Sequence, residues 1–492
     1  MKHRVSRRHF TKIVIGAAIV GFNPDERSWV TQTSADAARP FDRLPKLEGT
    51  LLLDEESRRA IAIDQGNMFH RVPAAVLRPK SAQDIVAMVR YANQHKLKVA
   101  IRGDGHSRYG QTQAEAGLVI DSRSLNAVRI RTPRSADVQP GAFWSAVADA
   151  TLPKGLTPRV FPGTCMALLT VGGTLNAGGI GNMTPRYGAL VDNITELDVV
   201  TGDGHLVTCS PERESELFEM LLAGQGQCGV IVRAGLPLIP APTQVVLHEL
   251  TYTDLDAYLT DQSRLAKEGR FDGQRGQMAR DKSGTWKFVM EIAKFFNPPD
   301  EPDMQALEGD LHFTSAAVAP LRMSYHDYLF RFGERGGMAA GPMPVITMWI
   351  PASATRAYLD NILSLTPEAL ALGNRLQGVE GFGCYPLNTR RFTRPLFKVP
   401  NEEQVFAIWL FRSVKPDDET ALSALLASNR ELLAKMTAVG GKRYAPYSMV
   451  ISSEEWQAHY GPEVWRRFMA AKAKYDPNRV LSPNPAIFGS GS

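Results

Sequence analysis

Between two short apolar stretches, Lys98 to Ile101 and Leu118 to Asp121, lies the sequence IRGDGHSRYGQ, residues 101–111. Two strand-like runs must enter and leave a loop in which Gly103, Gly105 and Gly110 permit backbone shapes closed to other residues. Upstream, Val72 to Pro79 predicts a strand bracketed by prolines. Ile85, Val86, Val89 and Tyr91 then recur at helical spacing behind a candidate N-cap, Ser81. Strand, helix, strand and loop form a βαβ-like opening suited to a nucleotide. It is not the G-x-G-x-x-G dinucleotide fingerprint, because Arg108 stands where the third glycine belongs and no helical pattern follows. A glycine loop between strands instead lets backbone N–H groups approach a diphosphate closely.

A second glycine cluster, Gly172 to Gly181, is too glycine-rich for a regular helix or strand. The interleaved Leu168, Leu169, Val171 and Ile180 distinguish it from a flexible linker. It predicts a rigid loop whose amides face a pyrophosphate. Val191 to Val200 predicts a strand, joined by the Thr201-Gly202-Asp203-Gly204 turn to HLVTC as a hairpin. A helix is expected from Ser210 toward Leu222, and Gly224 to Ala234 as a glycine turn plus strand. The segment from Pro45 to Met68 has an irregular helical pattern.

Composition shifts after the proline-rich Pro237 to Pro242. Strands are then expected at 244–250, 285–292, 345–350 and 405–411, separated by helices at 255–266, 354–365 and 421–433. This is an α+β pattern, a sheet with helices on one face. Glu454 to Tyr475 predicts one helix, and YDPNRVLSPNPAIF should return to the first domain. With 492 residues, more than one domain is expected. The boundaries drawn are 1–37, 43–242, 243–443 and 444–492.

The first segment is an address. Ser6-Arg7-Arg8-His9-Phe10-Thr11-Lys12 follows the twin-arginine pattern, a ten-residue apolar run from Ile13 to Phe22 is too short to span a bilayer, and Ala35-Asp36-Ala37 offers a cleavage site. The expected partner is the twin-arginine (Tat) export machinery and the expected location periplasmic or secreted. Such a leader would hold three of the five net positive charges, leaving +2, which is no footprint for nucleic acid. The four cysteines, Cys165, Cys209, Cys228 and Cys384, form no CxxC pair and have no zinc spacing with histidine. Most are expected to be buried apolar side chains.

Over nearly the whole mature chain the sequence resembles flavoenzymes of the vanillyl-alcohol oxidase (PCMH) type, most closely the cytokinin dehydrogenases. The matching segments, in order, are DQGN and VPAAVLRPKSAQDI (64–85), RGDGHSRYGQ (102–111), LTVGGTLNAGGIG (169–181), residues 186–218, GQGQCGVIVRA (224–234), YPLN (385–388), LFRS (410–413) and KYDPNRVLSP (474–483). The resemblance implies a two-domain PCMH-type FAD-binding fold with an α+β substrate-binding cap. It also implies FAD bonded covalently through His106, with oxygen or a quinone-like carrier as electron acceptor. By position, FAD-binding residues would be Arg102, Gly103, Asp104, Gly105, His106, Ser107, Gly110, Gln111, Thr170, Gly173, Thr174, Asn176, Gly178, Gly181, Val230 and Ile231.

Two positions depart from that family. Five residues before Thr170, where cytokinin dehydrogenases carry an aspartate base, the chain has Cys165, and no Asp or Glu lies between Asp149 and Asp192. A thiol is mostly protonated at neutral pH and a poor substitute base. The context Phe161-Pro162-Gly163-Thr164-Cys165 also resembles berberine-bridge-like and oligosaccharide oxidases, where such a cysteine forms a second flavin bond. Cys165 is thus a second tether, an active-site thiol or a packing residue. Tyr385 is a candidate base acting with a neighbouring cation, or a core aromatic. At the C-terminus, Pro485 replaces a family glutamine. The expected reaction is hydride transfer from a small amine or alcohol. The alternatives are a bicovalent oxidase of carbohydrates or secondary metabolites, and a non-catalytic flavin-binding redox carrier.

Overall fold

The computed structural model describes residues 41, 44–163, 166–281, 283–316, 319–332, 341–370, 375–376, 379–482 and 487–488, and near the N-terminus a paired Ile19–Asn23 and Ser28–Thr31. The twin-arginine motif, the Ala35-Asp36-Ala37 triplet, Cys165 and Pro485 lie outside the described residues.

The opening βαβ unit forms as expected. Thr50–Leu52, Ala75–Arg78, Leu118–Asp121 and Val99–Arg102 make a four-stranded sheet in that spatial order, the last three mutually parallel. The helix Ala82–His95 makes the crossover that a parallel pair requires. The Asp84 carboxylate accepts from the N–H groups of Glu48 (2.7 Å) and Lys80 (2.7 Å), fixing the helix start. Ile85, Met88 and Val89 are wholly buried, each stabilising by roughly 1.5–3 kcal/mol. In Pro45 to Met68 the irregular helical pattern resolves into the strand Thr50–Leu52 and a helix Glu55–Ala60.

The next sheet has six strands built around the long strand Gly229–Pro240, which pairs with Glu196–Thr201, Ser135–Val138 and Leu156–Pro158. This strand runs through the prolines that suggested a boundary. Pro237 sits where its partner changes from Ser135–Val138 to Leu156–Pro158, so a missing N–H is tolerated there. The expected hairpin forms, Glu196–Thr201 against Leu206–Cys209.

Three expectations are corrected here. Gly172 to Gly181 is not loop throughout: Val171–Ala177 is helical, capped by Thr170 Oγ1 accepting from Gly173 N–H (3.2 Å) and anchored by buried Val171 and Leu175. Its glycines are tolerated because Gly172 is pressed on Pro140, which a Cβ would meet at 2.6 Å. The strand over Val191 to Val200 starts only at Glu196. Leu190–Asn193 is a 3₁₀ turn, held by the Asp192 carboxylate accepting from Ala189 and Thr393 N–H (2.8 Å each). The helix expected from Ser210 begins at Ser215, because Ser210 closes a turn with Glu212 and Arg213.

Residues 244–443 carry a ten-stranded antiparallel sheet. Its central order is Gln244–Tyr252, Trp286–Phe296, Gly273–Arg280, Val379–Asn388, Gln404–Leu410, Ile346–Pro351. The four expected strands and three expected helices are present, and Gly273–Arg280 and Val379–Asn388 add two long strands between them in the sheet. Alternation decides the two faces. Ile346, Met348, Phe382, Cys384, Phe406 and Ile408 pack with the helices Leu255–Glu268, Ala352–Leu363 and Glu419–Ala438. Trp349, Tyr385, Ala407 and Trp409 point the other way, toward the first part of the chain.

The predicted C-terminal helix is two, Ser453–Tyr460 and Pro462–Tyr475, broken at Gly461 with φ 79°. The following segment returns as expected: Val99 N–H donates to Val480 O (2.8 Å) and Ser482 N–H to Val99 O (2.7 Å).

Candidate functional site: a glycine-walled cavity

A cavity of about 810 Å³ separates the inner face of the ten-stranded sheet from the glycine-rich segments. Its walls include Gly103 to Arg108, Thr170, Gly172 to Thr174, Asn176, Ala177, Gln225 and Gly226 on one side, and Arg275, Gly383, Tyr385, Trp409 and Tyr447 on the other.

The loop 103–111 is clamped from behind by DQGN. Gln65 N–H donates to Gly105 O (2.8 Å) and Gly66 N–H to Ser107 O (3.1 Å). The Asp64 carboxylate accepts from Ser107 Oγ (2.8 Å) and Gly110 N–H (2.8 Å). Burial pushes this carboxyl above the usual range, against those two hydrogen bonds and the charges of Arg102 and Arg108. Gln111 accepts from Tyr109 N–H and donates to Pro446 O (2.9 Å), tying the loop to the far wall. His106 faces the cavity. Burial first, then the Arg108 charge, hold its imidazole well below the ordinary histidine range, so it is neutral at pH 7.

Of the residues picked from sequence, Gly103, Asp104, Gly105, His106, Ser107, Gln111, Thr170, Gly173, Thr174, Asn176, Ile231 and Tyr385 line the cavity. Arg102 lies behind the loop, its guanidinium filling the space a Cβ on Gly105 would need. Gly110, Gly178 and Gly181 shape the walls without facing in. Val230 is wholly buried among Leu118, Val99 and Val480, because it and Ile231 point to opposite faces of one strand. Asp104 is engaged by Arg123 at 3.0 Å. Cys165 is outside the described residues, but Pro162, Gly163 and Leu168 near it line the cavity.

Tyr385 stands beside Arg275 and Trp409. Burial pushes its phenol up to about 12 although Arg275 opposes the shift, so at neutral pH it is protonated. Sequence reasoning missed Arg108, Arg275, Trp409 and Ser482 as wall residues. Arg108 and Ser482 fall within the quoted segments. Arg275 could be found only once GQRGQMAR was known to be a strand.

The cavity suits FAD. It has the size of a cofactor site, its glycines bring bare backbone to the surface, and the buried Asn176 Oδ1 has no protein donor, as expected of an acceptor for a ligand hydroxyl. Ser107, Gly173 and Asn176 would hold it on the glycine side.

Comparison with known proteins agrees. Residues 73–210 match the family described as FAD binding domain, and residues 270–488 that described as cytokinin dehydrogenase 1, FAD and cytokinin binding. An oxidoreductase of the fasciation locus of Rhodococcoides fascians is 32% identical over 443 residues, 89% of this chain and 98% of the relative. Cytokinin dehydrogenase 7 of Oryza sativa subsp. japonica is 32% identical over 492 residues, 89% and 91% of the two chains. Cytokinin dehydrogenase 1 of Arabidopsis thaliana is 31% identical over 494 residues, 90% and 83%. The crystal structure of 6-hydroxy-D-nicotine oxidase from Arthrobacter nicotinovorans superposes with a TM-score of 0.68 at 22% identity, covering 88% of this chain and 97% of that one. This last likeness concerns the fold, that of PCMH-type FAD oxidases. Loop, cavity and relatives together place the chain in the FAD-dependent oxidoreductases of the cytokinin dehydrogenase type.

Proposed function

We propose that the protein oxidises a small amine or alcohol with FAD bonded covalently through His106, passing electrons to oxygen or a quinone-like carrier. The observation that carries this reading is the neutral imidazole of His106 at the cavity wall, on a loop fixed by Asp64, Gln65 and Gly66. A neutral ring has a nitrogen lone pair available to form a bond to carbon. When bound, FAD supplies the hydride acceptor. The chain's own contribution is to hold the cofactor on the glycine wall, to leave the sheet side to substrate, to exclude water with Trp409, Phe411 and Tyr447, and to offer the protonated Tyr385 hydroxyl. The leader supports export by the twin-arginine route to the periplasm or beyond; changing Arg7 and Arg8 to Lys should keep the protein in the cytoplasm.

The direct test is acid precipitation followed by absorption and peptide mass. Flavin should stay with the His106 peptide, and flavin freed into the supernatant would sink the tether. Anaerobic bleaching of the flavin by a panel of cytokinins, amines and alcohols then identifies the substrate class. A bicovalent oxidase is the second reading, supported by the Pro162-Gly163-Thr164-Cys165 context and by Pro162, Gly163 and Leu168, which line the cavity. It requires flavin to be retained after His106→Ala and lost when Cys165→Ala is added.

A further inference from the structure

We propose that Arg275 reads the substrate, and that the sheet side of the cavity takes a planar ring bearing a carboxylate. This rests on the reading of the cavity as a flavin and substrate site.

The inference starts from strand register. Arg275 lies two residues beyond the Gln277–Gly383 pair, on the same face as Gly383 and Tyr385, and directly opposite Glu291 on its other neighbour. That face looks into the cavity, and Arg275 is on its wall. Its guanidinium carbon sits 4.5 Å from the centroid of the Phe332 ring. A cation over a ring is attracted by the ring face without using its N–H donors, and a guanidinium can meet a carboxylate with two parallel hydrogen bonds. The cross-strand carboxylate, Glu291, is engaged at 2.6 Å by Arg331, which lies 4.3 Å from the same Phe332 ring.

Charge over the whole cavity agrees. Among the described wall residues the ionic groups are Asp104, Arg108 and Arg275, with His106 neutral. Asp104 is at the glycine loop, engaged by Arg123. Arg108 lies over the rings of Phe411 (5.9 Å) and Tyr447 (5.4 Å), on the aromatic side. A substrate whose only charge is an ammonium would meet two guanidiniums there, whereas an amine or alcohol whose ring also carries a carboxylate would not be repelled. A flat acid meets two cations and the rings of Tyr385 and Trp409.

Calorimetry of the purified protein with benzoate, benzamide and benzylamine tests this. Benzoate should bind at least tenfold more tightly than the other two, and Arg275→Met should weaken benzoate at least tenfold while leaving benzamide unchanged. Arg275→Lys should restore part of the loss, and unchanged thermal unfolding shows that the variants are folded. The proposal is overturned if wild-type protein does not bind benzoate, if benzamide or benzylamine binds as well, or if Arg275→Met keeps full affinity. Flavin content is read separately by absorbance. Absence of flavin counts against the cofactor reading, while the heat of binding still decides the role of Arg275.

Discussion

At Gly103 the cavity wall depends on the missing side chain, because a Cβ there would meet Thr170 Oγ1 at 2.2 Å. Thr170 also caps the helix Val171–Ala177, so one methyl group would disturb both glycine walls. Gly103→Ala should cost about 1–3 kcal/mol by overpacking and lower flavin content; a thermal melt and the absorbance ratio check both. The histidines give a pH signature. His106 and His459 are held well below their ordinary range, each chiefly by burial, His106 next by Arg108 and His459 by Arg443. Below about pH 6.5 the unfolded chain binds protons that the folded one refuses. Stability is therefore fully present above that pH and falls as pH drops below it, by up to about 1.4 kcal/mol per pH unit per group. With His106 bonded to flavin, His459 is the one of the two left unsubstituted, and His459→Phe removes it, so the melting temperature of the variant should decline less steeply between pH 6.5 and 5 than that of the parent. Equal slopes would show that His459 already charges in the folded protein.

Among the elements, those readable in the sequence are the ones with a strong period. The strands at Leu118–Asp121 and Ile346–Pro351 and the helix Ala82–His95 carry apolar patterns that survive into the fold. Gly273–Arg280 and Val379–Asn388 do not: GQRGQMAR and VEGFGCYPLN have little β-branched content, and their strand state comes from neighbours on both sides. The cost for the site was specific. The phosphate-type loop and His106 are legible as a motif, but Arg275 depends on a strand that the sequence does not show, and Trp409 on which face of an expected strand turns to the cavity. The C-terminal element was legible through YDPNRVLSP, and its anchor is a buried ion pair. Lys472 Nζ donates to Asp476 (2.6 Å) and to Gln227 O (2.8 Å), while Asp476 accepts from Val480 and Leu481 N–H (3.0 and 2.9 Å). Removing one partner leaves a buried charge uncompensated, so Lys472→Met should destabilise by about 3–5 kcal/mol in chemical denaturation. A change below about 1 kcal/mol would mean that the segment is held without the pair.

For the whole molecule, the consequential fact is that no single sheet encloses the cavity. Residues 101–112 leave the four-stranded sheet, Ile231 belongs to the six-stranded one, and Arg275, Tyr385 and Trp409 to the ten-stranded one, while Ser482 arrives from the C-terminal return. A ligand that touches all of these binds the folded chain and not the unfolded one, so it stabilises the assembly as a whole. The size of that effect follows from affinity alone, about 2.7 kcal/mol at a free concentration 100 times the dissociation constant. In the wild-type protein a covalent flavin would hide this dependence, since its concentration cannot be varied. His106→Ala should expose it. If Cys165 makes no second bond, the variant should melt below the parent when flavin is stripped, and its melting temperature should climb with added FAD on the logarithmic course expected for a single reversible site. Riboflavin, lacking the diphosphate that the glycine walls are shaped to meet, should give a much smaller rise. If FAD and riboflavin stabilised the variant equally, the glycine clusters would not be the diphosphate site, and the cavity would have to be reassigned from its walls upward.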